Sequence, residues 1–261
     1  MRDQIAFKDG AAYERYMGKW SRLAGKAFLD WLAPKPGLRW LDVGCGNGAF
    51  TETLLEFCAP ASVQGIDPSE QQLDYARARP ELRSAVFRKG DAMELPFPEN
   101  AFDAAVMPLV IFFVPDPGKG VAEMARVVGP GGLVSAYAWD MLGGGFPYAA
   151  LQEEMKAMGL TVPKAPSLEA SRIEVLRELW IRAGLEAVAD FAYGVERSFA
   201  DFEDHWSVVL GSPSMGPTLA AMSSGDIAQL QARLRARLPA DSAGRLTLGA
   251  RAHAVRGRVK S

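Results

Sequence analysis

A short apolar segment that runs into three closely spaced glycines constrains this chain more than any other feature of its sequence. The segment is Trp40–Val43, and Gly44, Gly46 and Gly48 follow it. Apolar residues then recur at helical spacing from Phe50 onward. A parallel strand that turns through glycines into a helix places a ligand site at its carboxyl end. We expect the glycines to let the backbone approach the ligand, and the free N–H groups at the start of the helix to face it.

Two classes of nucleotide cofactor compete for this glycine loop. Gly44, Gly46 and Ala49 satisfy the loose dinucleotide fingerprint, and Asp67 lies about 20 residues downstream, where such a site has its ribose-binding acid. Asp42 distinguishes the two classes. A carboxylate beside the loop repels a pyrophosphate, whereas it attracts the positive sulfur and ammonium of a sulfonium amino acid. The loop amides then remain for the carboxylate of that ligand, and a nicotinamide-dependent oxidoreductase is the less favoured alternative.

Asp67 follows the second predicted strand, Ser62 to Ile66. Its carboxylate can accept two hydrogen bonds from ribose hydroxyls. The alternative is that Asp67 caps the next helix, predicted from about Glu70 to Arg79, but Ser69 can fill that role. We therefore favour the ribose.

Four motifs in order resemble those of the class I S-adenosylmethionine-dependent methyltransferases. The branch they resemble most is the type 11 methyltransferase domain, named for ubiquinone and menaquinone biosynthesis. The motifs are Leu41–Gly48, Gly65–Ser69, Gly90–Asp103 and Gly129–Gly132. The resemblance implies an α/β fold, a Rossmann-like three-layer sandwich. Its seven-stranded sheet is mostly parallel with an antiparallel last strand, and helical insertions cover the active site. It also implies S-adenosyl-L-methionine as cofactor and methyl transfer as the activity.

The cofactor site is predicted from the loop and from this resemblance together. The resemblance assigns Asp91 to the adenine amino group, and we expect Met93 to pack on the ring. No metal is required, and no catalytic residue is assigned. The predicted cofactor-binding residues are Tyr16, Trp20, Asp42, Gly44, Cys45, Gly46, Asn47, Asp67, Pro68, Ser69, Asp91, Ala92, Met93 and Met107.

Aromatic residues near the N-terminus have two interpretations that both stay open. Residues 11 to 33 are predicted to be helical, in pieces divided at Gly18 and Gly25. In one interpretation Tyr16 and Trp20 only cover the sheet. In the other they lie over the cofactor, because related methyltransferases often close the site with an N-terminal segment and an aromatic face attracts a sulfonium.

The residues after the fourth predicted strand, Phe102 to Met107, bear on the acceptor. Pro108–Phe113 is apolar and lacks the polar amide that methyltransferases of nucleobase amino groups often place there. This favours a small, apolar or aromatic acceptor. A hydroxyl acceptor needs a general base. His205 could face the acceptor, whereas His253 is expected to be a core histidine, and neither is assigned as the base.

The whole chain, residues 1–261, is predicted to be one methyltransferase domain. Residues 1–35 form an N-terminal helical cap, 36–140 the cofactor-binding core, and 141–171 and 199–243 two insertions on the substrate side. Further strands are expected at 39–43, 85–88, 133–138, 186–197 and 251–259.

Charge gives little indication of a nucleic-acid partner. The formal net charge is −2, without a long run of one sign. The C-terminal third carries a set of basic residues, which we interpret as a solvated helix face and a strand rim. A methyltransferase of nucleic acid or protein, and a protein that binds the cofactor without chemistry, stay open as alternatives. The basic residues are Arg233, Arg235, Arg237, Arg245, Arg251, Arg256, Arg258 and Lys260.

Two further features predict a cytoplasmic location. The two cysteines, Cys45 and Cys58, cannot form a disulfide framework. The chain begins without an apolar segment of signal length, and no apolar run reaches the ~18 residues that a membrane span needs.

Overall fold

In the computed structural model, which describes residues 14–212 and 215–261, seven strands form one sheet. They are β1 (Arg39–Val43), β2 (Ser62–Asp67), β3 (Ala85–Lys89), β4 (Phe102–Pro108), β5 (Val128–Trp139), β6 (Glu186–Phe199) and β7 (Leu246–Arg258). Their order is β3-β2-β1-β4-β5-β7-β6, and β7 runs antiparallel to both neighbours. The predicted fold class, with a mostly parallel sheet and an antiparallel last strand, is confirmed.

Helices cover both faces of this sheet. Those described are α1 (Lys19–Leu32), α2 (Ala49–Phe57), α3 (Glu70–Ala78), α4 (Pro117–Val127), α5 (Ala149–Ala157), α6 (Ile173–Arg182), α7 (Phe202–Leu210), α8 (Gly216–Ala220) and α9 (Ser224–Arg237). Tyr137 of β5 packs against Phe28 of α1 and Phe50 of α2. Met107 of β4 pairs with the residue before Tyr137 and packs against α4. Because successive strand residues point to opposite faces, α1 and α2 lie on one face and α4 on the other.

The N-terminal helix differs from its prediction at Gly25. A π-helical turn, Glu14–Gly18, leads into α1, so Gly18 does mark a division. Gly25 lies inside α1, and a β-carbon there would approach the Phe50 ring to 2.9 Å. Gly25 therefore allows α1 and α2 to pack closely. This packing stabilises the helix through Gly25, so the glycine does not end it. Residues 1–13 of the predicted cap, with Tyr13, lie outside the described residues.

The prediction that β5 begins at Leu133, after a glycine stop, is wrong. The strand begins at Val128, which pairs with Phe102. The glycine segment 129–132 is also held by Val259, because Gly131 donates to the Val259 carbonyl and Val259 donates back to Gly132. Long-range pairing of this kind overrides the local tendency of glycine and proline to end an element.

The last strand likewise begins earlier than predicted, at Leu246 and not at Arg251. Leu246 pairs with Phe199, the last residue of β6. Because β6 extends beyond its predicted end at Arg197, it provides partners for the additional residues of β7.

The two predicted insertions pack on each other. Helix α5 lies in 141–171, and α7, α8 and α9 lie in 199–243. Glu154 of α5 pairs with Arg233 of α9 at 2.6 Å and with Arg237 at 3.2 Å. The apolar residues that α5 and α9 bury completely are Leu151, Met155, Leu230 and Leu234.

Within the described residues, no helix is both long and apolar enough to cross a membrane.

Candidate functional site

Three carboxylates lie at the carboxyl ends of three neighbouring strands. Asp42 is the second-last residue of β1, Asp67 ends β2 and Asp91 follows β3. These strands are parallel, so their carboxyl ends meet at one edge of the sheet. None of the three carboxylates forms an ion pair with a residue that the structure describes. Among the described residues, this edge therefore presents carboxylates that have no ion-pair partner, which suits a cationic ligand.

Asp42 is the most constrained of the three because it is 0% exposed. Its Oδ2 accepts a hydrogen bond of 2.6 Å from the Thr51 hydroxyl of α2. Its Oδ1 has no hydrogen-bond partner among the described residues. Burial raises the pKa of Asp42 from 3.8 to about 7, the Thr51 bond opposes the shift, and the charge of Asp67 adds to it. A buried oxygen without a partner is costly, and a cation would supply that partner.

The three loop glycines all have positive φ, but their surroundings differ. A β-carbon on Gly44 would approach Val110 to 2.5 Å, and one on Gly48 would collide with Leu82. A β-carbon on Gly46 would meet nothing within 4 Å. Gly44 therefore makes room for Val110, and its contact with a ligand stays a prediction. Of the three glycines, only Gly46 borders open space.

The amides of this loop are already hydrogen-bonded within the protein. Five of them donate to internal acceptors: Gly44 and Cys45 to the Ile66 carbonyl, Gly46 to Asp67, Gly48 to the Cys45 carbonyl, and Ala49 to Asn47 Oδ1. The prediction that loop amides remain for a ligand carboxylate is therefore wrong at these positions. The same bonds remove the amides that a pyrophosphate would need.

Asp67 organises the loop and the start of α3 together. Its Oδ2 accepts from Gly46 N at 3.0 Å and its Oδ1 from Ser69 N at 2.8 Å. The Ser69 side chain does not cap α3, so Asp67 holds this turn and the expectation for Ser69 is wrong. Burial raises the pKa of Asp67, while the two backbone bonds lower it. Each carboxylate oxygen can accept a second bond, so the ribose assignment stays a prediction.

Asp91 and its neighbours form an exposed turn after β3. Asp91 Oδ1 accepts from Met93 N at 2.8 Å, which fixes the turn. Ala92 and Met93 are half-buried, and Pro68, beyond β2, is exposed. The sheet thus places this turn beside the one that holds Asp67. Contact of these residues with adenine is a prediction.

Sequence reasoning missed Leu109, at the end of β4. Its φ is +60°, although it is not glycine, and its N–H donates to the Tyr137 carbonyl at 2.7 Å. Such strained backbone persists only where surrounding structure enforces it, and it is concentrated at functional sites. Val110, the next residue, covers Gly44. Leucine has no propensity for left-handed backbone, so the sequence predicts only the apolar character of Pro108–Phe113.

Comparison with known proteins identifies the family. The model of a methyltransferase domain family matches residues 41–136, which contain the three carboxylates and Leu109. A 2-phytyl-1,4-naphtoquinone methyltransferase of Synechococcus elongatus is 35% identical over 174 residues, 64% of this chain and 70% of that protein. The chain belongs to the S-adenosylmethionine-dependent methyltransferases.

Two further relatives define the extent of the similarity. A demethylmenaquinone methyltransferase of Desulfitobacterium hafniense is 40% identical over 114 residues, 42% of this chain and 45% of that protein. The chain spans 39% and 41% of the length of two other curated relatives. A Haemonchus contortus phosphoethanolamine N-methyltransferase 2, solved with S-adenosyl-L-methionine, has a TM-score of 0.59 at 19% identity. It covers 99% of this chain, which covers 59% of it, and it shares the fold.

S-adenosylmethionine is the cofactor of this family, and the described site suits it. The Asp42 Oδ1 atom without a partner and the two further carboxylates favour a cation. Open space at Gly46 lets a ligand reach the backbone. A dinucleotide meets the opposite conditions, because the amides are bonded internally and the edge is negative.

Two predicted cofactor residues direct their side chains elsewhere. Cys45 lies in an apolar cluster with Leu73 and Phe87, on the side of α3. Burial raises the pKa of its thiol well above the usual value. Met107 is fully buried and packs against Gly120 of α4. Alternation along β4 turns Met107 into the core, so its side chain is not brought to the loop.

Tyr16 and Trp20 are both buried in an aromatic cluster at the end of β5. Tyr16 stacks on Tyr148, with ring centres 4.3 Å apart, and Trp20 meets Trp139 edge to face at 6.3 Å. These contacts support the packing interpretation, because the rings are enclosed by protein. Their contact with the cofactor is a prediction.

Asn47 connects the glycine loop to the N-terminal turn. Its side-chain amide donates to Glu14 Oε2 at 3.1 Å, while its Oδ1 accepts from Ala49. Arg22 pairs with both Glu14 and Glu52 of α2. The turn is therefore held over the loop by charged bonds that local sequence patterns do not reveal.

The two histidines have different surroundings. His253 Nδ1 lies 2.8 Å from the Ser171 carbonyl and its Nε2 lies 3.8 Å from Asp140, as expected of a core histidine. His205 of α7 is 2% exposed, with the Phe199 ring at 5.0 Å and the Tyr148 ring at 5.9 Å. Its Nδ1 has no partner among described atoms, and burial lowers its pKa from 6.5 to about 4.

The arginines of the C-terminal third mostly neutralise acids of the protein itself. Because they are paired, a solvated, ion-paired surface is favoured over a polyanion site. The pairs are Arg233 with Glu154, Arg235 with Glu203, Arg237 with Glu153 and Glu154, Arg245 with Asp241, and Arg251 with Asp140.

Proposed function

We propose that this chain transfers a methyl group from S-adenosylmethionine to a small aromatic acceptor of the quinol type. The observation that carries the proposal is the buried Oδ1 of Asp42, which lies beside the glycine loop and has no hydrogen-bond partner among the described residues. The two quinone methyltransferases described above support the acceptor class. The proposal rests on the site, because one fold supports many functions.

When bound, S-adenosylmethionine supplies an electrophilic methyl group on a positively charged sulfur. Asp42 attracts the positive end of the ligand, and Asp67 and Asp91 hold the ribose and the adenine. Leu109 and Val110, at the end of β4, exclude water beside the glycine loop. Holding nucleophile, methyl and sulfur in line can lower a barrier by ~7–11 kcal/mol, so these residues need only position and enclose.

The acceptor would lie between the end of β4 and the aromatic cluster. The run after β4 contributes Leu109, Ile111 and Phe112, all buried. Tyr148 and His205 lie in the two predicted insertions, 141–171 and 199–243. An apolar enclosure with few polar groups suits an aromatic ring. For an acceptor that must lose a proton, no base is proposed, because a pKa of about 4 makes His205 a weak base.

The test is titration calorimetry followed by a transfer assay. We expect saturable binding of S-adenosylmethionine and of S-adenosylhomocysteine, and none of NAD. We then expect labelled methyl to pass to 1,4-naphthoquinol in a panel that also contains 2-naphthol and catechol. Binding of NAD in place of the sulfonium ligand would overturn the proposal. Tight cofactor binding without transfer to any member of the panel would instead indicate a binding protein.

A further inference from the structure

A cationic pocket lies between the N-terminal turn and α7, outside the strand-end site. Its volume is about 380 Å³. The turn and α1 form one wall, and the end of β6 and α7 form the other. We call it the Arg197 pocket, and its charged lining residues are Glu14, Arg15, Lys19, Arg22, Arg197 and Asp204.

The cations of this pocket exceed the acids available to pair with them. Arg22 is paired with Glu14 and with an acid of α2. Arg15, Lys19 and Arg197 form no ion pair with any residue in the described ranges. Asp204 attracts Arg197 but makes no ion pair with it, and its carboxylate accepts from the Ala200 amide. The pocket therefore has a net positive charge.

Arg197 is the residue that makes this a built site. It is 9% exposed, and burial lowers the pKa of its guanidinium. Its Nη1 donates to the Tyr16 carbonyl at 3.4 Å, and its plane lies over the Phe199 ring at 4.4 Å. Its Nε has no partner among the described atoms. A buried cation that forms no ion pair with a described residue is costly, so an anion bound at Nε would stabilise this arrangement.

The Arg197 pocket and the glycine loop share one wall. Glu14 accepts from Asn47 of the loop, and the Tyr16 carbonyl, two residues on, accepts from Arg197. Tyr148 also donates to that carbonyl, at 2.8 Å. A ligand whose acidic end is held at Arg197 could therefore extend past the aromatic cluster towards the loop.

We propose that the Arg197 pocket binds an acidic group, a carboxylate or an ionised phenol, carried by the methyl acceptor. A guanidinium binds the two oxygens of a carboxylate with two parallel hydrogen bonds and can donate to the single oxygen of an ionised phenol, and Nε is one of the donors. This inference rests on the proposed function and adds to it the charge of the acceptor. Arg197 is then a specificity-determining residue that anchors the acceptor away from the reacting atoms.

The test compares 2-naphthoate with its neutral methyl ester. Both are titrated into the full chain saturated with S-adenosylhomocysteine. We expect 2-naphthoate to bind at least tenfold more tightly than the ester, and Arg197→Gln to remove that preference while cofactor affinity is unchanged. Equal binding of acid and ester, no binding of 2-naphthoate at millimolar concentration, or an unchanged preference in Arg197→Gln would overturn the proposal. So would inorganic phosphate binding as tightly as 2-naphthoate, because the pocket would then take any free anion.

Two further variants keep the test decisive. Arg182→Gln removes an exposed guanidinium from α6 and should leave the preference intact. Lys19→Gln alters an exposed wall residue, so it tests the pocket if Arg197→Gln does not fold, and it should reduce the preference severalfold. Cofactor titration in the same samples separates the two hypotheses. If the wild type does not bind the cofactor, the proposed function is contradicted. If it binds the cofactor but does not prefer 2-naphthoate to the ester, only this inference is contradicted.

Discussion

The two sides of the carboxyl edge of the sheet carry opposite charge. At β1, β2 and β3, the carboxylates of Asp42, Asp67 and Asp91 form no ion pair with any residue in 14–212 or 215–261. Across the sheet, at the end of β6, the buried guanidinium of Arg197 forms no ion pair with a residue that the structure describes. Each side therefore needs a ligand of the opposite charge, and a cationic methyl donor facing an anionic acceptor would satisfy both. Coulombic attraction between two such ligands would also favour their approach.

The largest effect is expected at Asp42, which defines the anionic side. Asp42→Asn should weaken binding of S-adenosylmethionine by ~2–5 kcal/mol, the range for removing one partner of a buried charge pair. Asp103→Asn is the matched control, because Asp103 is the second residue of β4, lies at the opposite edge of the sheet and pairs with Arg39. Titration calorimetry measures both variants. Equal affinities in Asp42→Asn and the wild type would remove Asp42 from the site.

The same residue gives a pH dependence. The pKa of Asp42 in the folded, cofactor-free chain is about 7, and only the ionised form attracts a cation. Affinity should therefore fall as pH drops below 7, by up to about tenfold for each pH unit. The folded pKa is raised above 3.8, so Asp42 also makes the cofactor-free chain less stable as pH rises between 3.8 and 7. Asp42→Asn should remove both dependences.

On the opposite side, His205 should give a dependence of the opposite sign. Its pKa is about 4 in the folded chain against 6.5 in the unfolded chain. As pH falls from 6.5 to 4, the unfolded chain takes up a proton that the folded chain does not, so stability decreases by about 3 kcal/mol in total. His205→Phe should abolish this component. The measurement is the difference in the free energy of unfolding between wild type and variant at pH 7 and at pH 4.5, in urea. A difference independent of pH would contradict the burial argument.

The two sides also differ in how far the sequence predicts them. The anionic side rests on local signals: an apolar strand, a glycine turn and an acid at each strand end. These predicted β1 with its observed bounds and placed Asp42 and Asp67 at the edge. Even there, the partners of the loop amides were not readable, because they depend on the Ile66 carbonyl and on Asp67 of a neighbouring strand.

On the cationic side, the relevant features are long-range. Arg197 lies in a strand pattern like any other charged residue. Its burial follows from the Tyr16 carbonyl, which is 181 residues away in the chain, and from the Phe199 ring. The left-handed Leu109 and the early start of β5 are likewise set by pairing between distant segments. Periodicity and propensity describe neighbours in the sequence, so these features could not be predicted from it.

The smallest effect is expected for substitutions of the loop glycines. Comparing two of them distinguishes a glycine that borders a ligand from one that is needed for packing. Gly46→Ala places a β-carbon in open space, so its cost to stability should be limited to the left-handed backbone, ~1–2 kcal/mol. Gly44→Ala adds a collision with Val110 to the same backbone cost and should lower the melting temperature further. Cofactor affinity should fall more in Gly46→Ala than in Gly44→Ala, because the new methyl group of Gly46→Ala occupies space left for a ligand. If Gly46→Ala binds S-adenosylmethionine as tightly as the wild type, the ligand does not approach the loop at Gly46, and the open space there has another explanation.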